Sequence, residues 1–292
     1  MEKIGLMGAG VMGLAAAGKI VEAGYPLLVY DPASRARVEA RNLGAGVVET
    51  PAEAAAAAEI ILMFLPGPGE VEEVVAGGQG LLQGAGGGTV IVDHSTIDPE
   101  TTRRLAALAG EKGVGYLDAP VLGRPAGVGK WALPVGGRPE DLEKCRPVLS
   151  LFAAKILPVG ASGAGHTIKL LNQLMFGAIN AMTAEMMALS EHLNVPPRLL
   201  YETISASQAG TVSNLFLELG RNIAAENYDR PTFSVNLLAK DVRLAVEMAR
   251  QNKAPLLLAA TVQFLNELAQ VQGFGAQDTS VMWKMWRGFW PK

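Results

Sequence analysis

A glycine pattern stands directly after the first apolar run of the chain. Residues 5–13 read GLMGAGVMG, and Gly8, Gly10 and Gly13 have the spacing G-x-G-x-x-G. The residues before the pattern predict a strand, and residues 11–22 predict a helix. Strand, glycine turn and helix in this order are typical of a turn that binds phosphate groups. The alternative is a structural glycine turn, since the chain contains 34 glycines.

The spacing of these glycines suits a dinucleotide. Glycine at the first two positions lets the backbone turn tightly and approach a pyrophosphate, and the third lets the helix lie close to the strand. The N–H groups of the first helical turn, at the positive end of the helix dipole, then face the phosphates. We therefore assign cofactor binding to Gly8, Gly10, Val11, Met12 and Gly13.

An acidic residue, Asp31, indicates which dinucleotide is bound. It ends the second predicted strand, near the spacing of about 20 residues at which a carboxylate meets the ribose. A carboxylate accepts hydrogen bonds from the ribose hydroxyls of NAD but repels the additional phosphate of NADP. Arg35 and Arg37 could neutralise that phosphate, although we interpret them as solvated helix residues. The sequence favours NAD over NADP.

Strands and helices alternate up to about residue 160. Further strands are predicted at 26–31, 59–66, 89–95 and 114–121, with helices at 51–58 and 98–113, the second of which begins with Asp98 as its N-cap. This alternation is typical of a doubly wound, Rossmann-like α/β fold with a mostly parallel sheet. We assign residues 1–160 to a dinucleotide-binding domain of this class.

The character of the chain changes after residue 160. Residues 163–193 contain no proline and are apolar almost all round, which predicts a long buried helix. Further helices are predicted at 196–206, 234–252 and 256–272, without a convincing strand. We assign residues 161–292 to an all-helical substrate and oligomerisation domain that starts with the long interdomain helix. The expected assembly is a homodimer or homotetramer.

Composition disfavours several classes of protein. A net charge of −3 without a long basic run gives no indication of nucleic acid or an anionic membrane surface as partner. No apolar run approaches the roughly 18 residues of a membrane span, and no signal-peptide pattern is evident. The single cysteine, Cys145, cannot form an internal disulfide, which favours a reducing compartment. We expect a cytoplasmic protein.

The titratable residues limit the chemistry further. The 3 histidines have no metal-binding spacing, so no metal is expected. The sequence offers Ser95 no obvious histidine or aspartate partner, so Ser95 is not expected to be a nucleophile. His94, at the end of a predicted strand, fits either a position near the cofactor or a hydrogen-bonded structural role.

Lys169 is the most informative of these residues. It lies in the first turns of the long apolar helix, and Asn172 and Gln173 share its face. A buried ammonium is costly unless it is paired or functional, and burial lowers a lysine pKa toward the range useful for acid–base chemistry. We interpret Lys169 as a functional residue, the alternative being a lysine that reaches solvent from a helix end.

Four separated motifs point to one family. They are GLMGAGVMG (5–13), DAPVLGRPAG (118–127), GAGHTIKLLNQ (163–173) and KDVRLA (240–245). With LP at 65–66 and DHSTIDP at 93–99, they make the chain similar over essentially its whole length to the β-hydroxyacid dehydrogenases. This family includes 3-hydroxyisobutyrate dehydrogenase and tartronate semialdehyde reductase. The resemblance implies hydride transfer between NAD(H) and a small β-hydroxyacid or its semialdehyde, and therefore a small anionic substrate.

The resemblance also implies roles for individual residues. Lys169 matches the catalytic lysine, which passes a proton to or from the substrate oxygen, and Asn172 matches the active-site asparagine beside it. The long helix would then join the two domains and leave the active site in the cleft between them. Leu65, Pro66 and Thr96 match cofactor contacts, and Lys240 matches a residue that closes over cofactor and substrate. The candidate substrate-binding residues are Gly123, Arg124, Ser95, Gln173 and Lys240.

One segment departs from the family pattern. The family commonly has Ser-Gly-Gly after APV, whereas this chain has Leu122, Gly123 and Arg124, followed by a loop about two residues shorter. A Gly-Arg pair here is similar to the sulfolactaldehyde reductase branch, where arginine binds a sulfonate. The alternatives are an imine reductase, a class that generally lacks the lysine seen at 169, and a non-catalytic NAD-binding sensor.

Overall fold

Two units make up the chain, Met1–Lys169 and Leu170–Lys292. The computed structural model describes residues 2–207, 213–254 and 256–289. The first unit is built on a β-sheet, and the described residues of the second form helices and connecting segments, with an isolated backbone bridge between Ser234 and Asp278. Each unit is considered below by itself.

The sheet of the first unit is doubly wound. Its strands are β1 (Ile4–Met7), β2 (Leu27–Tyr30), β3 (Gly46–Val47), β4 (Ile60–Met63), β5 (Val90–Asp93), β6 (Gly115–Asp118), β7 (Trp131–Gly136) and β8 (Ala153–Gly160). They lie in the order β3-β2-β1-β4-β5-β6-β7-β8, and neighbours are parallel except for the antiparallel pair β6–β7. The predicted mostly parallel, Rossmann-like sheet is confirmed.

Helices cover both faces of this sheet. They are α1 (Val11–Glu22), α2 (Ser34–Asn42), α3 (Pro51–Ala57), α4 (Pro68–Ala76), α5 (Leu81–Gly84), α6 (Pro99–Glu111) and α7 (Pro139–Leu149). Side chains alternate between the faces of a strand, so Leu6 packs in the cluster that contains Ala16 of α1, and Met7 packs in the cluster that contains Val71 of α4. Asp98 caps α6 as predicted, since its carboxylate accepts from the Thr101 N–H at 2.8 Å.

The second unit is helical throughout its described part. The long helix α8 (Ala164–His192) begins in the first unit and is followed by α9 (Pro197–Ala206), α10 (Asn214–Ala224), α11 (Val235–Gln251), α12 (Leu257–Val271) and α13 (Met282–Arg287). Gly177 lets α8 pack closely, because a Cβ there would lie 2.8 Å from Val262 of α12 and 3.0 Å from Val242 of α11. The predicted all-helical second half is confirmed.

One face of α8 differs from the expectation of a fully buried helix. Met187 and Ala184 are buried, but Met175 and Met182 are 66% and 63% exposed, and Leu189 is 43% exposed. The prediction of burial all round is therefore wrong for this face. The physical reason is that the helices of one chain pack against only part of the circumference of α8.

A histidine at the end of β5 is buried among aromatic rings. The Nδ1 atom of His94 lies 2.6 Å from the carbonyl oxygen of Ala119, and its ring stacks on Phe64 with centroids 4.7 Å apart. Burial lowers the pKa of His94 to about 4. The ring is therefore neutral, with Nδ1–H donating to the carbonyl. Of the two readings of His94, the hydrogen-bonded structural one describes these contacts.

The lowered pKa of His94 predicts a pH dependence of stability. Between the ordinary pKa of 6.5 and the folded value of about 4, the unfolded chain binds a proton that the folded chain does not. The free energy of unfolding should therefore fall as pH falls through this window, by up to about 3 kcal/mol from this group. Urea unfolding between pH 7 and pH 4 measures the slope, which should be shallower in His94→Asn.

The exposed His192 supplies the matched control for this prediction. His192→Asn should keep the wild-type slope, because it removes an exposed histidine and leaves His94 in its buried place. The comparison is between slopes, since His94→Asn also changes ring packing and therefore absolute stability. Equal slopes for wild type and His94→Asn would contradict the assignment.

Candidate active site

The predicted site residues of the first unit follow the carboxyl ends of adjacent strands. Tyr30, Met7, Met63, Asp93 and Asp118 end five strands and stand in register as one row across the sheet. The residues that follow these five strand ends therefore lie at the same edge of the sheet. The strand order reverses between β1 and β4, and in open α/β sheets this is the place where ligands bind.

The glycine turn after β1 has the shape that a dinucleotide requires. Gly8 has φ +92°, and a Cβ there would overlap the carbonyl oxygen of Phe64. A Cβ at Gly13 would overlap the carbonyl oxygen of Gly8, whereas Gly10 faces open space. Helix α1 has no side-chain cap at Gly10, so its first-turn N–H groups suit an anionic group. The residues present therefore fit a bound pyrophosphate.

Asp31 joins this turn to the end of β2. Its Oδ2 accepts from the Ala9 N–H and its Oδ1 from the Ala33 N–H, both at 2.8 Å. The half-buried carboxylate is thus held in one orientation beside the glycine turn. Arg35 is 91% exposed and paired with Glu39, and Arg37 pairs with Glu49. Both arginines have carboxylate partners, in accord with solvated helix residues.

The ends of β4 and β5 are tied together by Ser95. Its buried hydroxyl accepts from the Leu65 N–H at 3.0 Å, and its own N–H donates to Asp93 at 2.9 Å. Leu65 and Thr96 are half-buried, and Pro66 is exposed. The contacts of Ser95 thus hold together the two segments that are predicted to contact the cofactor, while its predicted role in substrate binding stays a prediction.

The first turn of α8 is held by a carboxylate from the sheet. Oδ1 of Asp118, at the end of β6, accepts from the Gly163 N–H at 2.8 Å, and Oδ2 accepts from the His166 N–H at 2.9 Å. These are N–H groups that a helix start leaves without intrahelical partners. Burial raises the pKa of Asp118, opposed by the charge of nearby His166 and by these two bonds. Gly165 is required here, since a Cβ would lie 2.5 Å from the carbonyl oxygens of Asp118 and Pro134.

The ring of His166 adds a second attachment for the same turn. His166 is fully buried, with Nε2 3.1 Å from the Ser95 carbonyl oxygen and Nδ1 2.7 Å from the Thr102 hydroxyl. A carbonyl only accepts, so Nε2 carries a proton and donates to Ser95, while Nδ1 forms the second hydrogen bond with the hydroxyl. The ring therefore joins α8 to the end of β5 and to α6.

Lys169 follows one turn after His166. Its side chain is half-buried, and Nζ donates to the carbonyl oxygen of Val121 at 2.9 Å. Val121 directly precedes the segment Leu122–Gly123–Arg124. The ammonium is thus placed at the carboxyl edge of the sheet, beside the start of the loop 122–130.

The loop 122–130 carries the two predicted residues Gly123 and Arg124. Gly123 is exposed and Arg124 is half-buried. The loop contains a short 3-10 turn, Pro125–Gly127, and its carbonyl at Arg124 accepts from the Trp131 indole N–H at 2.8 Å. A backbone bridge pairs Leu122 with Ala132 of β7.

The predicted residues of the second unit form a separate set. Asn172 is exposed, and its Nδ2 donates to Oε1 of Gln173 at 3.2 Å. Gln173 is buried, and its Nε2 donates to Asp241 at 2.6 Å. Lys240 pairs with Asp241 at 2.6 Å. Asp241 therefore connects α8 to α11 within this unit.

Other reactive groups show no arrangement for catalysis. Burial raises the pKa of the Cys145 thiol to about 12, so it remains protonated at neutral pH. Among residues 2–207, 213–254 and 256–289, no three His, Cys, Asp or Glu side chains lie together as a metal site would need. In the same ranges, no helix is long and apolar enough to cross a membrane.

Sequence reasoning missed the residues that position Lys169. Asp118 stands in a quoted motif, but nothing in its spacing reveals a bond to a helix 45 residues later. His166 was considered only as a metal ligand, and Thr102 was not considered. A buried polar residue at a strand end was the only available signal, because long-range partners cannot be read from local pattern.

Comparison with known proteins agrees with this geometry. Residues 3–160 match the family described as the NAD binding domain of 6-phosphogluconate dehydrogenase. Residues 163–286 match the family described as the NAD-binding domain of NADP-dependent 3-hydroxyisobutyrate dehydrogenase. Together the two matches cover nearly all of the chain.

Individual relatives align over almost their whole length. The chain is 34% identical to 2-(hydroxymethyl)glutarate dehydrogenase of Eubacterium barkeri, over 97% of this chain and 94% of that protein. It is 32% identical to 3-sulfolactaldehyde reductase of Escherichia coli, over 97% and 95%. A crystal structure of 3-hydroxyisobutyrate dehydrogenase from Salmonella typhimurium is 25% identical, covers 98% of this chain and 100% of its own, and gives a TM-score of 0.91. The chain belongs to the β-hydroxyacid dehydrogenase family.

Proposed function

We propose that this protein transfers a hydride between NAD(H) and a small β-hydroxyacid or its semialdehyde. The observation that carries the proposal is the contact between Lys169 Nζ and the Val121 carbonyl. It supports a proton donor at Lys169, on the edge of the sheet that also carries the glycine turn and Asp31. The proposal thus assigns proton transfer, anion binding and dinucleotide binding to neighbouring segments of this edge.

Lys169 is the general acid and base of this proposal. When bound, NAD(H) supplies or accepts the hydride. In reduction, the Lys169 ammonium gives a proton at Nζ to the carbonyl oxygen of the semialdehyde, and in oxidation the neutral amine takes it from the hydroxyl. The attachment of α8 to Asp118, and through the His166 ring to Ser95, holds Nζ in place, which is what general acid–base catalysis requires.

Arg124 binds the acid group of the substrate. A guanidinium offers two parallel N–H bonds to a carboxylate or sulfonate. The relative from Escherichia coli acts on 3-sulfolactaldehyde and the one from Eubacterium barkeri on 2-(hydroxymethyl)glutarate, so both kinds of acid group occur among relatives. Leu122 has no hydroxyl that could donate a hydrogen bond to the acid group, so the Arg124 guanidinium has to bind this negative charge.

Residues of the second unit complete the assignment. Asn172 holds the substrate beside Lys169, from which it is three residues away on α8. Lys240 contacts both cofactor and substrate, and Gln173 supports it through their common partner Asp241. A cytoplasmic location remains a prediction from the single cysteine.

The assembly is a homo-oligomer formed through α8 and α12. Met175, Met182 and Leu189 recur at intervals of seven residues on α8, and all three are exposed. Leu257, Phe264 and Val271 recur at the same interval on α12 and are 84%, 62% and 85% exposed. Apolar residues with this repeat are typical of helices that pack against other helices. We call these two rows of exposed apolar residues the seams. A second copy of the chain has the same seams and covers them.

Replacing the lysine should remove proton transfer. Lys169→Ala should lower kcat by about 10²–10⁴-fold, the usual contribution of a positioned acid or base. NADH affinity, measured by fluorescence titration, should change little, because this side chain is not part of the glycine turn that binds the cofactor phosphates. The exposed Lys155 gives the control Lys155→Ala, which should behave as wild type. Wild-type turnover in folded Lys169→Ala would reject the role of the lysine, whereas a wild type that binds NADH and turns over none of the substrates would favour an NAD-binding sensor.

Changes at Arg124 should act on the substrate alone. Steady-state kinetics first identify the preferred substrate. Oxidation with NAD is measured for 2-(hydroxymethyl)glutarate, 3-hydroxyisobutyrate and L-serine, and reduction with NADH is measured for 3-sulfolactaldehyde. For that substrate, KM should rise about 10- to 100-fold in Arg124→Ala and nearly as much in Arg124→Lys. Arg146→Ala, at an exposed arginine, is the control. Unchanged KM in both Arg124 variants would move the anion site elsewhere.

Asp31 should determine the preference between cofactors. The wild type should have a higher kcat/KM with NAD than with NADP, because the carboxylate repels the additional phosphate. Asp31→Ser should narrow or reverse this ratio. A wild-type preference for NADP would contradict the assignment and would direct attention to Arg35 and Arg37.

Charge on the exposed seams should break the assembly. Light scattering after size exclusion should give a dimer or tetramer for the wild type. Met182→Glu combined with Phe264→Glu should lower the mass, because a second copy would have to bury both carboxylates. Val38→Glu, at an exposed apolar residue of the first unit, should leave the mass unchanged. A monomeric wild type would overturn the proposal.

A further inference from the structure

The loop 122–130 rests on the ring of Trp131. A Cβ at Gly123 would overlap this ring, so the backbone of the loop lies directly against the indole. A Cβ at Gly127 would still lie 3.9 Å from it. Trp131 itself is only 1% exposed, which makes the ring a fixed platform in the core of the first unit.

The indole N–H adds a directional bond to this platform. It donates at 2.8 Å to the carbonyl oxygen of Arg124, which also accepts from the Gly127 N–H at 2.9 Å. The backbone of Arg124 is therefore held by two donors. At the far end of the loop, the Gly129 N–H donates to the carbonyl oxygen of Phe152 at 2.8 Å.

A row of aromatic rings supports the platform. Trp131 and Phe152 meet edge to face at 5.9 Å between centroids, and Phe152 and His94 do so at 5.5 Å. His94 stacks on Phe64 at 4.7 Å. Phe64 and His94 stand immediately before Leu65, a predicted cofactor contact, and Ser95, a predicted substrate-binding residue. The four rings thus run without interruption from the loop to the ends of β4 and β5.

We propose that Trp131 is a specificity-determining residue, which fixes the backbone of Arg124 and so sets where the acid group of the substrate is held. It does so as a positioning residue, through Arg124, and not by touching the substrate. The inference rests on the proposed function in one respect, namely that Arg124 binds the acid group. A guanidinium held rigidly favours substrates whose acid group lies at one distance from the reacting carbon. A guanidinium on a mobile loop would instead bind acid groups at several such distances.

Trp131→Phe tests the bond while it keeps an aromatic ring. Hydrogen–deuterium exchange on the protein without substrate should show amide exchange within 122–130 faster by about three- to tenfold, as expected for the loss of one hydrogen bond. Exchange in β5 and β6 should be unchanged. KM for the preferred acid substrate should rise by a similar factor, with NADH affinity unaltered. Trp283→Phe, which removes the indole N–H bond to Tyr228 in the second unit, is the matched control.

A double-mutant cycle tests the platform itself. Gly123→Ala alone should raise KM strongly, because the added methyl group pushes the loop off the ring. In a Trp131→Leu background the same methyl group should cost little more, and this non-additivity is the signature of direct contact. Additive effects of the two changes would overturn the proposal.

The remaining outcomes separate this inference from the proposed function. Unchanged exchange within 122–130 in Trp131→Phe overturns the inference, as does faster exchange with an unchanged KM. If Arg124→Ala raises KM while Trp131→Phe does not, only the inference fails. If neither variant raises KM, the anion site at Arg124 fails as well.

Discussion

The active-site geometry depends on one carboxylate, that of Asp118. It accepts from two N–H groups of the first turn of α8, and the close approach at Gly165 leaves no room for that turn to shift. Without this attachment the helix would begin with unpaired buried donors, each of which costs about 1–3 kcal/mol. Lys169 lies on the next turn, so the position of its Nζ follows from a bond made at the end of β6. The position of the lysine that we propose as proton donor is thus fixed relative to the sheet that also holds the glycine turn.

The second constraint is electrostatic. Two histidines lie near this edge, and both are tied to backbone carbonyls, His94 to Ala119 and His166 to Ser95. Burial lowers the pKa of His94 to about 4, so this ring carries no positive charge at neutral pH. His166 instead contributes through its two hydrogen bonds, which fix the first turn of α8.

How much the sequence could predict differs between elements for physical reasons. The glycine turn and the Asp98 cap depend on neighbouring residues, and both were found at the predicted positions. Strand β7 was missed because Pro134 and the glycines at 136 and 137 suggest a loop, although β7 pairs on both sides. The exposed face of α8 was missed because an all-round apolar helix does not reveal which face its own chain covers. The roles of Lys169 and Asn172 were predicted from the family resemblance. The roles of Asp118 and His166 could not be predicted, because these residues act through partners distant in sequence.

The loop 122–130 and helix α8 have separate anchors, Trp131 for the loop and Asp118 for the helix. Side chains at Arg124, Pro125 and Ala126 can therefore be exchanged without loosening the helix that carries Lys169. Under the proposed roles of Arg124 and Lys169, such a division makes the scaffold evolvable, because mutation of the loop can change which acid group is bound while the position of the lysine is kept. The glycine at 123 is the exception, since the indole beneath it forbids a side chain. Diversification within a lineage that keeps this tryptophan is thus channelled to the positions that follow it.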